Sequence, residues 1–158
     1  GLFMAALPGD QTLKELRAAL IETESELTGN ASMRVDPFGE IRQYGGLLQR
    51  AGLTLPVADS EIVTASYAAL GDLAADLRSW GATNSLKERP AFAGKHFFKT
   101  VGEKYQRANG NEDGKFLATF EVVFLTAWSP HESQQKPLRP GSGENRLADI
   151  LSKDKKIT

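Results

Sequence analysis

With 158 residues, 19 basic against 20 acidic side chains and a formal charge of -1, the chain suits one domain and is short for two. The balanced charge argues against a nucleic-acid footprint. The absence of cysteine rules out a disulfide framework and a thiolate metal site, and fits a cytoplasmic setting.

Gly1 to Leu7 is an apolar run of strand length, apolar on both faces, which belongs inside a sheet with neighbours on each side. With no polar lead-in, no initiator methionine and no signal-peptide pattern, the chain is expected to begin partway through a larger protein. Pro8-Gly9-Asp10 reads as a turn. Thr12 with Glu15 three residues on reads as a capping box, opening a helix whose apolar face is Leu13, Leu16, Leu20, Ile21 and Leu27 and whose stop is Gly29. Asp36-Pro37 offers an N-cap and a first helical residue for a second helix with Phe38, Ile41, Tyr44, Leu47, Leu48 and Ala51, ended by Gly52. Leu53 to Val57 and Ile62 to Tyr67 form a strand or a bent hairpin, with Pro56 indicating an edge or a break. Leu70, Leu73, Ala74, Leu77 and Trp80 mark a third helix stopped at Gly81, and Lys87 to Gly94 is a polar connector. Residues 95 to 108 form a fourth helix carrying Phe98, Val101 and Tyr105, and residues 109 to 114 a turn cluster.

Phe116 to Trp128 is the longest apolar run in the chain and reads as a central strand covered on both faces. Pro130 ends it. The segment from His131 to Gly141 has no period and many hydrogen-bonding side chains, as a loop from a central strand that carries binding chemistry has. A polar connection without function accounts for it as well. No run reaches the roughly 18 apolar residues of a membrane-spanning helix. Two histidines, His96 and His131, with no carboxylates at matching spacings do not make a metal site. His131, Glu132 and Ser133 are sequence neighbours on an extended loop, without a nucleophile elbow, and do not form a triad. The Gly141-Ser142-Gly143 pattern follows no strand and fails as a nucleotide fingerprint. Residues 1–143 read as the folded part and 144–158 as a polar tail with Leu147, Ile150 and Leu151. Trp80, Thr83, Asn84, Trp128, His131, Glu132, Gln134 and Arg139 combine polar reach with strand or helix ends. Either tryptophan alone is more often core than ligand wall.

The order strand, helix, helix, strand, helix, helix, strand resembles the C-terminal half of a class I S-adenosylmethionine-dependent methyltransferase, starting at its fifth strand. The resemblance implies a Rossmann-like α/β sheet of the last three strands, the final one antiparallel between the other two, with about four helices. Trp80 to Asn84, Asn111 to Gly114, Ala118-Thr119-Phe120, and Trp128 through His131-Glu132-Ser133-Gln134 to Gly141-Ser142 resemble bacterial relatives of mitochondrial complex I assembly factor 5. The Gly81 to Asn84 turn and the strand around Thr119 also resemble the malonyl-carrier-protein methyltransferase of biotin synthesis, which lacks the His-Glu-Ser-Gln segment. The glycine-rich loop and acidic residue that hold S-adenosylmethionine in this family are missing from this sequence. The resemblance therefore implies S-adenosylmethionine in the full-length protein and none for this chain alone, which is expected to be inactive by itself. It makes the eight residues above a substrate wall, assigns no catalytic residue, and implies a carrier protein or protein substrate as partner. The reaction is methyl transfer or the related arginine-modifying, complex I assembly role; the alternative is a non-catalytic binding or assembly module. An unpartnered Gly1 to Leu7 edge, or the apolar face left uncovered, is expected to give a homodimer.

Overall fold

The computed structural model describes residues 1–86 and 94–135. The connector residues 87–93, Arg139, the Gly141 to Gly143 glycines and the polar tail lie outside the described residues. Seven elements follow in order: β1 (Leu2–Pro8), α1 (Lys14–Thr28), α2 (Ile41–Arg50), β2 (Thr54–Tyr67), α3 (Leu70–Ser79), α4 (Lys95–Asn109) and β3 (Phe116–Trp128). The three strands form one sheet in the order β1-β3-β2. Each outer strand runs antiparallel to β3, so β1 and β2 are parallel to one another, as the expected α/β arrangement requires.

Alternation along β3 sends its odd-numbered side chains to one face and its even-numbered ones to the other. On the odd face Val123, Leu125 and Ala127 pack under Leu48 of α2, with Ala5 and Leu7 of β1 beside them. On the even face Leu73 of α3 covers Ala118, with Tyr67 and Phe120 alongside. A third cluster joins Leu20 of α1 to Phe97, Val101 and Tyr105 of α4. The apolar periodicity of each helix thus finds its partner.

Cover on the even face stops halfway along β3. Phe124 and Trp128 are each 45% exposed, and across the register from Trp128 and Thr126 stand Leu2 and Met4, the latter 69% exposed. The expectation of burial on both faces therefore holds for the first half of β3 only. β1 is likewise an edge strand here, with Leu2, Phe3 and Met4 exposed.

Two predicted helix starts are corrected. Thr12 and Glu15 do not cap α1, because both are engaged by β3. β1 pairs with β3 only from Val122 to Trp128, which leaves the earlier edge of β3 without a strand. The Thr12 hydroxyl donates to the Glu121 carbonyl and accepts from the Glu121 N–H, both at 3.1 Å. Leu13 N–H donates to Thr119 O at 2.7 Å, and the Glu15 carboxylate accepts the Thr119 N–H at 3.2 Å and the Thr119 hydroxyl. The Tyr105 hydroxyl donates to Leu117 O at 2.7 Å. Side chains thereby complete the ladder that β1 leaves open, satisfying backbone groups that burial would otherwise strand. Leu13 adopts φ 55° to do so, a left-handed backbone that costs a non-glycine residue roughly 1–2 kcal/mol. The second helix starts not at Asp36 but at Ile41, after Glu40, whose N–H is taken by the Gln43 side chain at 3.2 Å. Asp36 accepts instead from the Ser85 hydroxyl at 3.2 Å. β2 is a single 14-residue edge strand with a register irregularity between Thr54 and Val57, the break that Pro56 announces.

Candidate functional site

Three surfaces carry the polar residues singled out above. The first is a groove of about 610 Å³ between α1 and α3, roofed by the segment that follows α3. α3 ends at Ser79 with Trp80 as its C-cap, and Gly81 takes φ 76°, a backbone region that glycine enters without penalty, so the chain turns sharply back along the helix. Ala82 N–H then donates to Leu77 O at 2.8 Å, and the Asn84 side chain accepts the Leu86 N–H at 3.0 Å. Thr83, Asn84 and Ser85 are thereby aligned as one wall of the groove, with Leu16, Leu77 and Phe98 among its apolar floor residues.

Arg34, Asp36 and Arg78 also line it. Arg34 is not free to bind: its guanidinium holds Glu24 through two contacts of 3.2 Å and lies 4.6 Å over the Phe97 ring. Glu24 is itself buried, so this is an internal pair that fixes the loop before α2 against α1 and α4. Arg78 donates through Nε to Ala74 O at 2.9 Å. The geometry suits an apolar arm with a polar end. Among the described residues lining the groove, the Ser85 hydroxyl donates to the Asp36 carboxylate at 3.2 Å, with no histidine beside the pair.

The second surface is the end of β3. Gln134 N–H donates to His131 O at 3.1 Å, closing a turn over residues 131–134. The Gln134 side chain fastens that turn to the sheet. Its Nε2 donates to Ser129 O at 2.9 Å, and its Oε1 accepts the Thr54 hydroxyl at 2.7 Å and the His131 N–H at 3.3 Å. Ser129 N–H in turn donates to Gly1 O at 2.9 Å. His131 Nδ1 lies 2.8 Å from the Ser133 hydroxyl and accepts the Ser133 N–H at 3.2 Å, which assigns the neutral ring its proton at Nε2. Leu55, at φ 50°, forms the opposite wall of a groove of about 620 Å³ with Pro130, His131, Glu132 and Gln135.

The third surface is the uncovered sheet face that holds Trp128. Trp80, 60% exposed, stands edge-on to Phe120 at 5.6 Å. The structure therefore brings Thr83 with Asn84, and His131 with Glu132 and Gln134, while Trp80 and Trp128 belong to the even face. Arg78, Asp36 and Phe98 were not among the sequence candidates. Their only sequence signal is helical spacing and a Pro37 neighbour, both of which read first as structure.

Among the described residues no three metal-ligating side chains converge, and no helix is long and apolar enough to cross a membrane. Burial raises the Tyr105 hydroxyl pKa well above the usual tyrosine value, with the Glu15 charge adding to it, so the phenol stays protonated and keeps donating to Leu117. Tyr67 is raised as well, by burial first and then by Asp76.

No protein-family model matches the sequence. Comparison with curated proteins gives clear relatives. The arginine-hydroxylase NDUFAF5, mitochondrial, of Dictyostelium discoideum is 38% identical over 151 residues, 95% of this chain and 35% of that protein. The mouse protein of the same name is 33% identical over 162 residues, 99% of this chain and 47% of that protein. The malonyl-[acyl-carrier protein] O-methyltransferase of Xylella fastidiosa is 34% identical over 131 residues, 82% of this chain and 42% of that enzyme. The chain is homologous to both groups. It spans about a third to a half of the length of these relatives. The two resemblances that the sequence motifs carry are both among these relatives, and the alignments span 82% to 99% of this chain.

Proposed function

We propose that this chain is the substrate-side part of an S-adenosylmethionine-dependent methyltransferase-family protein, and that the groove between α1 and α3 receives the protein-borne group to be modified. What supports the reading is an apolar groove with a polar rim in a chain whose similarity to an arginine-hydroxylase and to a malonyl-[acyl-carrier protein] O-methyltransferase covers most of its length. The methyltransferase's name puts the modified group on a carrier protein, where it would reach the groove as an arm. An apolar trough with a polar rim suits such an arm, since it removes water from the stem while leaving hydrogen bonds for the tip.

The turn after β1 does not fit S-adenosylmethionine. The turn after β1 is closed rather than cradle-like: a side chain at Gly9 would lie 2.3 Å from the Glu121 carboxylate, so the chain's own side chain fills that space. In a full-length protein S-adenosylmethionine would supply an activated methyl group, and the groove residues here would bind and desolvate its acceptor. The arginine-modifying, complex I assembly role is the branch that the His-Glu-Ser-Gln segment favours. The reading includes a cytoplasmic setting and a homodimer through β1 or the uncovered sheet face.

The test is to incubate the full-length protein with S-adenosylmethionine and a carrier protein bearing a malonyl group and, separately, with arginine-containing polypeptides, dioxygen and a two-electron reductant, and to map products by mass spectrometry. A methyl ester on the carrier supports methyl transfer, and an oxygen added to arginine supports the second branch. Neither product, from folded protein that binds its polypeptide partner, overturns the enzyme reading and leaves the binding module.

A further inference from the structure

The fold gives several of its arginines an internal task. Arg17 donates to the carbonyls of Asp10 and Thr12, Arg34 holds Glu24, and Arg78 closes on Ala74 O. Arg42 and Arg50 of α2 are both exposed, and the ion pairs among the described residues join Arg34, Lys99 and Lys104 to carboxylates and include neither of them. Arg42, Gly46 and Arg50 recur at i, i+4 and i+8, so they line one side of the helix, with the two arginines about 12 Å apart along its axis. That side faces away from the sheet, because Leu48 on the opposite side packs on Val123 and Leu125. No acidic residue lies between Ile41 and Arg50. The carboxylates of the neighbouring strand β2, Asp59 and Glu61, register with Phe124 and Val122 and so belong to the even face, across the sheet from α2.

Between its two arginines this cationic strip is hollow. Gly45 and Gly46 weaken a helix relative to alanine, and nothing among the described residues demands them: neither takes a positive φ, and a Cβ at either position would meet no atom within 4 Å. The glycines leave the helix backbone open from outside, with Leu47, 51% exposed, as the apolar contact beside the gap.

We infer that the outward side of α2 docks an acidic helix of a partner protein, its carboxylates two turns apart on Arg42 and Arg50 and its backbone seated over Gly46. Charge complementarity selects the partner, since the guanidinium fork suits a carboxylate, and a small residue at the crossing lets two helix axes come close. An anionic bilayer fits less well, because a helix lying on a membrane needs a free apolar face and that of α2 is committed to β3. The strip lies across the sheet from the groove between α1 and α3, so the contact recruits a partner and holds independently of what that groove modifies.

The experiment titrates the full-length protein at low ionic strength with an alanine-based helical peptide carrying glutamates two turns apart, read by fluorescence anisotropy, with α2 amide resonances locating the contact and the glutamine peptide as control. The expected result is binding of the glutamate peptide that salt weakens, a Kd raised about threefold to fivefold in Arg42→Gln and in Arg50→Gln, and shifts at Gly45, Gly46 and Leu47. Gly46→Leu is expected to raise Tm, as a better helix former, and yet to weaken the peptide about tenfold by filling the gap. A lower Tm in that variant shows that the fold itself needs the glycine and overturns the inference. Equal binding of the glutamine peptide, an unchanged Kd in both arginine variants, or capture by phosphatidylglycerol vesicles in place of the peptide also overturns it. So does peptide binding that appears only after removal of residues 144–158, which gives the strip to the chain's own tail. A protein that docks the peptide yet yields neither methyl ester nor hydroxyarginine overturns the proposed function alone.

Discussion

Gly9 shows how one residue sets the seam between β1, α1 and β3. Its N–H donates to Glu121 O at 2.9 Å, and the Glu121 carboxylate occupies the space a side chain would need while accepting Gln11 N–H at 3.0 Å. Gly9→Ala must expel that carboxylate and leave a partly buried donor without its partner, which costs about 1–3 kcal/mol. Chemical denaturation of the variant measures this. In a Glu121→Ala background the same substitution is expected to cost clearly less, because the colliding group is gone; an unchanged cost would place the strain in the backbone instead. Thr12 and Glu15 teach the same lesson from the sequence side. Their spacing is that of a capping box, and nothing local distinguishes that use from a bond to a strand more than a hundred residues away.

At the scale of elements, α1 and α4 are joined by a charge cluster. Lys104 Nζ donates to Glu22 at 2.7 Å and to Glu26 at 2.5 Å. The hydrogen bond from Lys104, then its charge, holds the Glu26 carboxyl below the usual value of 4.5, and the two carboxylates raise Lys104 above 10.5. Because the folded state lowers the Glu26 pKa, its contribution is complete above the unfolded value and is lost as pH falls through the folded one. The Lys104 contribution has the opposite sign: it is present below 10.5 and lost as pH rises past the raised value. Hydrogen exchange of α4 amides, referenced to the intrinsic rate at each pH, is expected to lose protection below about pH 4.5, and Lys104→Met to flatten that dependence. A pH-independent protection pattern in the native protein would contradict the assignment. Helices were the most legible elements, since their apolar periodicity survives whatever they pack against. Their starts were less so, because Asp36 was drawn to Ser85 and the cap passed to Glu40 and Gln43. The sheet order was legible through the family resemblance and not through the strands, whose alternation says which face is apolar and not which neighbour lies beside it.

For the whole molecule the open question is what meets the half-covered sheet. Leu2, Met4, Phe124 and Trp128 share that face, and such a contiguous apolar patch beside a free strand edge favours association. Light scattering of the 158-residue chain is expected to show a dimer and Met4→Lys a monomer; a strictly monomeric native chain sinks the dimer. The site residues were only half legible. Thr83 and Asn84 reached a groove, and Gln134 proved to be the clamp of its own turn, but Arg78 and Phe98 sit at ordinary helical positions, and only the packing of α1, α3 and α4 makes them neighbours. The central claim is that these residues face substrate and not cofactor. The most direct test measures, by calorimetry on the full-length protein, the Kd of S-adenosylmethionine and of the polypeptide substrate in Phe98→Ala and Thr83→Ala. Weaker substrate binding, by about tenfold or more for Phe98→Ala, with cofactor affinity unchanged is the predicted result. Lost cofactor affinity with substrate binding intact would contradict it.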